Sequence, residues 1–428
     1  MQTQTGRTAK RSLSRRRAMS MVGLGLGWTG IVAAWAQFPI AVSVEEHAGV
    51  ERRVEYVEGG IPFPRGLVRD AGELRVEEGQ AMAVPTQFEV LSRWPQDGSL
   101  RWVFVTFPTY SRANGRRGYR ITRGANVRSK GEVKVTREAD RIWIDTGPVR
   151  FAVRTGKGFN VIDEAYVGGQ QVLAPSDRGL YMEMDGALFS TVHDAKPEVV
   201  VERNGPLAVT VKAEGRMAAP GGREGFHYIV RIHAYAGMDR VRVVPTIMRL
   251  YGSRNQTSAV KDFGLDLRLA DHLGRQYLIG THAAPMRGQL QPGQEAGVRC
   301  LSSDRYELFG AASGGGPAKS MKPLTLGWIG TDDGNLAVAA GVRHFWEMHP
   351  KALLVRAPAA EGGGRLIVRL LDGTAKPFDF IAGMARTHEV LLTFTVEWRA
   401  ELANVFAAHQ RPLRLWPTAE WLTRAGVF

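Results

Sequence analysis

The chain has 428 residues, of which 44% are hydrophobic and 23% charged, an ordinary composition for a globular protein of two or three domains. Its single cysteine, Cys300, excludes an intramolecular disulfide and a cysteine-based zinc cluster. The net charge is +14, and removal of residues 1–36, which hold six basic and no acidic residues, lowers it to +8. The remaining basic residues are scattered, which argues against nucleic acid and leaves a mild attraction for acidic partners.

The first 36 residues have the pattern of an export signal. Ser14-Arg15-Arg16-Arg17-Ala18-Met19 precedes a short apolar segment at 21–33, and Ala34-Trp35-Ala36 is a small-x-small cleavage site. The paired arginines resemble a twin-arginine signal, with the ordinary secretory route as the alternative. We expect export to the periplasm or the extracellular space, cleavage after Ala36 and no membrane span in the mature chain. N-terminal sequencing of the mature protein tests this, and an intact Met1 would contradict it.

The mature chain has the pattern of many short strands separated by turns. Residues 101–107 are β-branched and aromatic with both faces apolar, and Val390–Val396 is another clear strand. Asn204-Gly205 lies between two apolar runs and predicts a hairpin. The best helical candidate is Ala400–His409.

These elements predict a mainly β protein. We expect a small N-terminal β-barrel at 40–130, a large antiparallel β-sandwich at 131–400 and a short, partly helical C-terminal tail at 401–428. The boundary between barrel and sandwich is placed near Ser129-Lys130-Gly131. More than about a third of the mature chain in helices would contradict this fold class.

One acidic residue is assigned to a turn rather than to catalysis. Trp94 and Trp102 flank Asp97-Gly98-Ser99, which is typical of a hairpin turn held by aromatic anchors. Asp97 is therefore expected to stabilise the turn.

Two segments together carry a family resemblance. The first is Gly60-Ile61-Pro62-Phe63-Pro64-Arg65-Gly66, continued by Val84-Pro85-Thr86-Gln87 and by Arg93-Trp94-Pro95-Gln96-Asp97-Gly98-Ser99-Leu100-Arg101-Trp102-Val103. The second is Phe345-Trp346-Glu347-Met348-His349-Pro350-Lys351-Ala352-Leu353, followed by Gly383-Met384-Ala385-Arg386-Thr387-His388-Glu389. The chain resembles the exo-rhamnogalacturonan lyase-like family over about residues 45–425. The resemblance implies an N-terminal RIFT-type barrel, a central β-sandwich and a C-terminal α/α toroid.

The sequence departs from the family pattern at its C-terminus. It ends at Phe428, shortly after Trp416-Pro417-Thr418-Ala419-Glu420-Trp421, about where the toroid of the family would begin. We expect this chain to lack the toroid, which a separate chain can supply.

Two hypotheses for the function follow. In the first, the protein is an exported carbohydrate-active enzyme or enzyme subunit that acts on an acidic polysaccharide by β-elimination. In the second, it is a non-catalytic carbohydrate-binding or scaffold protein.

Elimination from a uronic acid needs a base for the proton beside the carboxylate and a cation for the carboxylate itself. The strand Phe226–Tyr235 offers a base and a cation, because one of its two faces carries mostly polar side chains. The core-facing side is expected to present Tyr228, Val230 and Ile232, and the polar face His227, Ile229, Arg231, His233 and Tyr235. Tyr235, His233 and Arg231 are the predicted catalytic residues and His227 a predicted substrate-binding residue. The alternative is an ordinary solvated sheet face.

This row of side chains gives a binding prediction. If Arg231 pairs with a sugar carboxylate, Arg231→Ala should weaken binding of acidic oligosaccharides by roughly 1.5–3 kcal/mol, the scale of a charge-assisted hydrogen bond. Binding of neutral oligosaccharides should barely change. Calorimetry with rhamnogalacturonan fragments measures both.

Three further side chains are predicted to bind substrate: Arg386, His388 and Trp346. Arg386 and His388 alternate onto one face and can contact a sugar acid or orient a loop. Trp346 lies between His344 and His349, whose spacing suits structural packing better than metal binding. We expect neither a metal nor a cofactor.

Overall fold

The computed structural model describes residues 38–253, 256–281, 284–316, 319–321, 325–360, 362–374, 376–395 and 401–427. The predicted export signal at 1–36 lies outside this part of the chain. Strands account for 56% of the described residues and helices for 7%, which confirms the predicted mainly β fold. No helix in the described ranges has both the length and the apolarity needed to span a membrane.

The N-terminal part is a barrel-like pair of small sheets. Its strands are β1 (Ile40–Glu45), β2 (Arg52–Pro62), β3 (Leu74–Glu78), β4 (Met82–Val84), β5 (Gln87–Arg93), β6 (Leu100–Ser111) and β7 (Arg116–Arg123). One sheet has the order β1-β7-β3-β4 and the other β2-β6-β5. Val103, Val105 and Phe107 of β6 are fully buried, as the apolar pattern predicts. The predicted turn between β5 and β6 is confirmed, with Asp97 Oδ1 accepting from the Ser99 amide at 3.0 Å.

The larger part is a two-layer sandwich of antiparallel strands. Its strands are β8 (Lys134–Arg137), β9 (Arg141–Asp145), β10 (Val149–Arg154), β11 (Glu164–Val167), β12 (Gln170–Met184), β13 (Ala187–Ser190), β14 (Glu198–Asn204), β15 (Ala208–Ala218), β16 (Glu224–Tyr235), β17 (Arg240–Met248), β18 (Thr257–Leu269), β19 (Gln276–Ile279), β20 (Met286–Gln289), β21 (Glu295–Ser302), β22 (Arg305–Gly310), β23 (Lys319–Met321), β24 (Trp328–Asp332), β25 (Ala337–Val342), β26 (Lys351–Arg356), β27 (Arg365–Asp372), β28 (Phe378–Ile381), β29 (Ala385–Thr387) and β30 (Val390–Thr395).

One layer has the order β9-β10-β11-β12-β18-β27-β26-β21-β22. The other has the order β14-β15-β16-β17-β30-β25-β24-β19. Apolar side chains of both layers, such as Leu265 and Val368 from the first and Val230 and Leu392 from the second, form one buried core. The burial of such side chains is the main favourable contribution to folding.

The predicted Asn204-Gly205 hairpin joins β14 to β15 and also docks onto the barrel. Gln87 of β5 inserts beside the turn, where its Oε1 accepts hydrogen bonds from the amides of Leu207 at 3.0 Å and Ala208 at 2.9 Å. A Cβ atom at Gly205 would lie 2.2 Å from the Gln87 side chain. Glycine is needed here because the barrel approaches the turn closely.

The C-terminal segment runs from the sandwich back to the barrel. It consists of α1 (Leu402–Gln410), β31 (Arg414–Pro417) and α2 (Ala419–Ala425). Phe406 of α1 stacks on Trp328 with ring centroids 5.1 Å apart, which fixes the helix on the outer face of the second layer. β31 then pairs antiparallel with β1 as the fifth strand of the barrel sheet. The partly helical character of this segment is confirmed, whereas its strand was not predicted.

Candidate functional site

The outer face of β16 has the predicted alternation. Tyr228, Val230 and Ile232 are buried in the core, and the five predicted polar-face residues point away from it. The row from His227 to Tyr235 extends over roughly 26 Å at about 3.3 Å per residue. It therefore passes through different surroundings, and its members do not form one cluster.

The Arg231 side chain is 42% exposed, and that of His227, four residues earlier, is largely covered. Arg231 donates through Nε and Nη2 to the two carboxylate oxygens of Glu202, at 2.7 and 2.8 Å. His227 Nε2 lies 3.1 Å from a carboxylate oxygen of Glu214. Both side chains are thus held by acidic partners within the protein.

His233 follows Arg231 in the row and is half-buried. Its Nδ1 lies 3.0 Å from the hydroxyl of Thr210. Burial, reinforced by the neighbouring Arg242 and Arg203, lowers the pKa of His233 to about 2. The imidazole is therefore neutral at physiological pH and a weak base.

Tyr235 ends the row in the junction between sandwich and barrel. Its hydroxyl donates to Glu58 of β2 at 2.8 Å and accepts from Nη2 of Arg242 at 3.2 Å. Its ring stacks on Tyr56 with centroids 5.2 Å apart. Burial raises the pKa of Tyr235 well above its usual value, so the phenol keeps its proton and acts as a donor.

A cleft of about 360 Å³ opens at this junction, between β2 of the barrel, β17 of the sandwich and α1. Its apolar walls include Tyr56, Phe104, Leu391 and Val405, and its polar lining includes Glu55, Glu58, Tyr235, Arg240, Arg242, Glu389 and His409. A second depression of about 400 Å³ adjoins it. Both are lined by Arg52, Glu55, Met238, Arg240, Val405 and Ala408. Together they form an elongated groove, which we call the junction groove.

Most charges of the junction groove belong to one network of ion pairs. Arg203 of β14 contacts both Glu58 and Glu89 of the barrel. Arg242 lies 3.4 Å from Glu58 and 3.8 Å from Glu389. This network fixes the barrel on the sandwich and leaves these charges neutralised.

Two cations in the groove are held more loosely. Arg240 Nη1 lies 3.6 Å from Glu55, and its Nε lies 3.5 Å from Asp239. The side chain of Arg53 is 73% exposed and pairs with the half-exposed Glu401 at 3.2 Å. The Arg53 pair is exposed and therefore worth little, and the contacts of the largely covered Arg240 are long. Both guanidinium groups can therefore exchange partners for a ligand carboxylate.

His409 of α1 also lines the cleft. Its Nδ1 lies 3.8 Å from Glu389, and burial lowers the pKa of His409 to about 4. Its neutral imidazole can accept or donate a hydrogen bond at physiological pH.

Among the described residues no three metal-binding side chains gather as ligands of an ion.

The other predicted binding residues lie away from the groove. His388 is buried, and its Nδ1 lies 2.9 Å from Nζ of the fully buried Lys351. Arg386 is close enough to lower the pKa values of both groups. Trp346 is 37% exposed in the turn between β25 and β26. The structure thus brings Arg386 and His388 together and places Trp346 on the surface.

Glu58, Arg240, Arg242, Glu389 and His409 were not singled out from the sequence. The alternation Arg240-Val241-Arg242 after the glycine turn of β16 could have indicated the two arginines, since Arg242 faces His233 across the hairpin. Nothing in the sequence indicates that β2 and α1 meet at this hairpin.

Two solved structures show the same fold over most of this chain. A protein in the glycosyl hydrolase family 38 from Enterococcus faecalis matches 90% of the chain with a TM-score of 0.53 and 11% identity. An alpha-mannosidase from Enterococcus faecalis V583 matches 89% of it with a TM-score of 0.50 and 11% identity. The chain covers about half of each, 48% and 46%. At this identity the likeness is one of fold alone, and no curated protein sequence matches the chain.

Family models give a more specific relationship. The N-terminal RIFT barrel domain of PcRGLX-like proteins matches residues 49–123, and their central β-sandwich domain matches residues 133–276. Together these matches cover about half of the chain. The domains are rhamnogalacturonan lyase-like, as the resemblance in the sequence implies. The chain therefore belongs to the PcRGLX-like family and carries its first two domains.

Proposed function

We propose that the chain binds an acidic oligosaccharide of the rhamnogalacturonan type in the junction groove, without converting it. The observation that carries the proposal is the groove itself, in which apolar walls and convergent polar groups meet at the interface of two domains. Its two adjoining depressions, of about 360 and 400 Å³, suit a short chain of sugars better than a single small molecule.

The lining offers a complement for each part of a uronate-containing sugar. The exposed guanidinium of Arg53 and the loosely held Arg240 can each pair with a carboxylate. Tyr235, Glu58 and neutral His409 supply donors and acceptors for ring hydroxyls. Tyr56 and Phe104 present apolar surface to the C–H faces of the sugar rings.

Arg240→Gln tests this assignment. The change removes one of the two cations that border both depressions and keeps a polar side chain, so the fold should persist. We expect the affinity for tetragalacturonate to fall about 10- to 100-fold, the scale of a lost charge-assisted hydrogen bond. Isothermal titration calorimetry of wild type and variant measures it. An unchanged affinity in the variant would contradict the proposal.

The same titration separates two positions for the acidic sugar. The sequence pattern predicts the carboxylate at Arg231, whereas our proposal predicts it at Arg240. These residues are far apart along the β16–β17 hairpin, and Arg231 is bound by Glu202. A loss of binding in Arg231→Ala with none in Arg240→Gln would move the site to the part of the row around Arg231.

A second candidate function is β-elimination in the same groove. The contact between Arg242 and the hydroxyl of Tyr235, at 3.2 Å, favours it, because a guanidinium beside a phenol suits this chemistry. The C–H bond beside the carboxylate and the bond to the neighbouring glycosidic oxygen would break, and a carbon–carbon double bond would form. Tyr235, which keeps its proton, would protonate the leaving oxygen, and His409 would take the proton from carbon.

Absorbance of the unsaturated product distinguishes the two candidates. We expect wild-type protein to bind tetragalacturonate or rhamnogalacturonan fragments with no rise in ultraviolet absorbance. The reason is that Tyr235 and Glu58 are held by partners within the protein and His409 is a weak base. A steady absorbance rise that Tyr235→Phe abolishes would establish the elimination instead.

A further inference from the structure

We infer that the barrel carries a second sugar-binding surface, at which a neutral oligosaccharide stacks on Trp416. The surface lies on the outer face of the five-stranded sheet, and none of its residues lines the junction groove. This inference is independent of the function proposed for the groove.

The surface is a shallow trough of about 750 Å³ that crosses four strands. Ser43 of β1 pairs with Trp416 of β31 on one side and with Gly118 of β7 on the other, so the three share one face of the sheet. Gly79, directly after β3, continues the row. A Cβ atom added at Gly118 or Gly79 would meet nothing within 4 Å, which means that the floor beyond Ser43 is open.

Trp416 forms one wall of the trough and has little structural role. It is 47% exposed, whereas its chain neighbour Leu415 is 7% exposed and faces the barrel interior. Leu415 and Trp416 point to opposite faces of the sheet, so β31 is anchored by the face that carries Leu415. An indole exposed beside a floor of small residues offers a flat apolar platform with a polar N–H at its edge, which suits the C–H face of a pyranose ring.

The rims supply hydrogen-bonding groups, with three glutamates against two arginines. Arg120 lies 3.7 Å from Glu77 and donates to the carbonyl of Gly79 at 2.9 Å. Arg116 lies 3.3 Å from Glu45 and donates to the hydroxyl of Ser43 at 3.3 Å. Glu420 also lines the trough, and this excess of negative charge disfavours a sugar acid, so the surface favours neutral sugar hydroxyls.

The dimensions favour an oligosaccharide over a single sugar. The row from Trp416 to Gly79 spans β31, β1, β7 and β3, about 14 Å at about 4.8 Å between strands. The trough is open along this row. We therefore assign it to a chain of neutral pyranose units, such as a galactan segment.

Titration with galactotetraose tests the surface, with tryptophan fluorescence and calorimetry as readouts. We expect wild type to bind and its fluorescence to change. Trp416→Ala should lose at least tenfold in affinity, because stacking is removed. Gly118→Val should lose a similar amount, since its side chain enters the trough without touching the protein. Leu91→Ala, which removes a 60% exposed side chain of β5, serves as the matched control and should bind as wild type does.

Tetragalacturonate separates this surface from the junction groove. Trp416→Ala and Gly118→Val should bind it as wild type does, whereas Arg240→Gln should not weaken galactotetraose binding. If wild type fails to bind galactotetraose, or if both trough variants bind it normally, the inference is overturned whatever the outcome for the groove.

Discussion

Arg203→Ala is expected to destabilise the protein by about 3 kcal/mol, more than any change at an exposed ion pair. The side chain of Arg203 is only 9% exposed and joins the sandwich to Glu58, Glu89 and Thr106 of the barrel. It also lies over the ring of Phe104 at 5.0 Å. Its removal takes the only closely paired cation from Glu89 among the described residues and leaves Glu58 with the more distant Arg242, at 3.4 Å. Breaking a buried ion pair in this way is costly.

Arg231→Ala is the matched stability control. Arg231 also makes a two-point contact to a glutamate from the same sheet, but its side chain is 42% exposed. An exposed ion pair contributes at most about 1 kcal/mol to the free energy of unfolding. Urea unfolding of both variants measures the difference. Equal losses of unfolding free energy in the two variants would show that Arg203 does not fix the barrel on the sandwich.

Lys351→Met is expected to stabilise the protein at neutral pH. Lys351 is fully buried, and its Nζ hydrogen-bonds the carbonyl of Leu370 at 2.8 Å and Nδ1 of His388 at 2.9 Å. Burial, with a smaller effect of Arg386, lowers the pKa of Lys351 to about 7. The gap from the usual 10.5 corresponds to roughly 5 kcal/mol of unfolding free energy, from which the two lost hydrogen bonds subtract about 1–3 kcal/mol each. The net change therefore runs from about −1 to +3 kcal/mol, with a gain of about 1 kcal/mol at the centre of this range.

The pH dependence of the unfolding free energy shows whether the buried amine of Lys351 causes this effect. Between about pH 7 and 10.5 the unfolded chain binds a proton at Lys351 that the folded chain lacks, so this group makes stability rise with pH. The slope is about 1.4 kcal/mol per pH unit. The unfolding free energy of Lys351→Met minus that of wild type should therefore fall by about 2–3 kcal/mol from pH 7 to pH 9. An advantage that stays constant over this range would mean that the amine is charged in the folded protein.

Much of the fold can be predicted from the sequence, because many strands have their own pattern of apolar and polar residues. The alternation of β16 correctly assigned Tyr228, Val230 and Ile232 to the core and the polar residues to the outer face. The helix candidate at 400–409 corresponds to α1 at Leu402–Gln410. These patterns are local, since each is set by which face of one element is buried.

The site could not be predicted in the same way, because its residues come together only through tertiary contacts. Tyr235 was singled out from its strand, but its partner Glu58 lies on β2 of the barrel. His409 looked like one residue of a short helix, and it lines the groove only because α1 packs on Trp328 through Phe406. A pattern within one strand cannot show which end of that strand another domain covers.

The strand β31 was not predicted from the sequence, again because it depends on a tertiary contact. Its four residues, Arg414–Pro417, are too few for a periodic signal, and they form a strand because β1 offers an edge for pairing. Trp416 therefore looked like part of a tail, whereas pairing with Ser43 places it on a continuous sheet face.

The most direct test of the account is a crystal structure of the protein grown with tetragalacturonate. The account predicts the sugar chain in the junction groove, with a carboxylate against Arg240 and sugar hydroxyls near Tyr235. A sugar chain bound along Arg231 and His227 instead, with the groove occupied only by solvent, would contradict it.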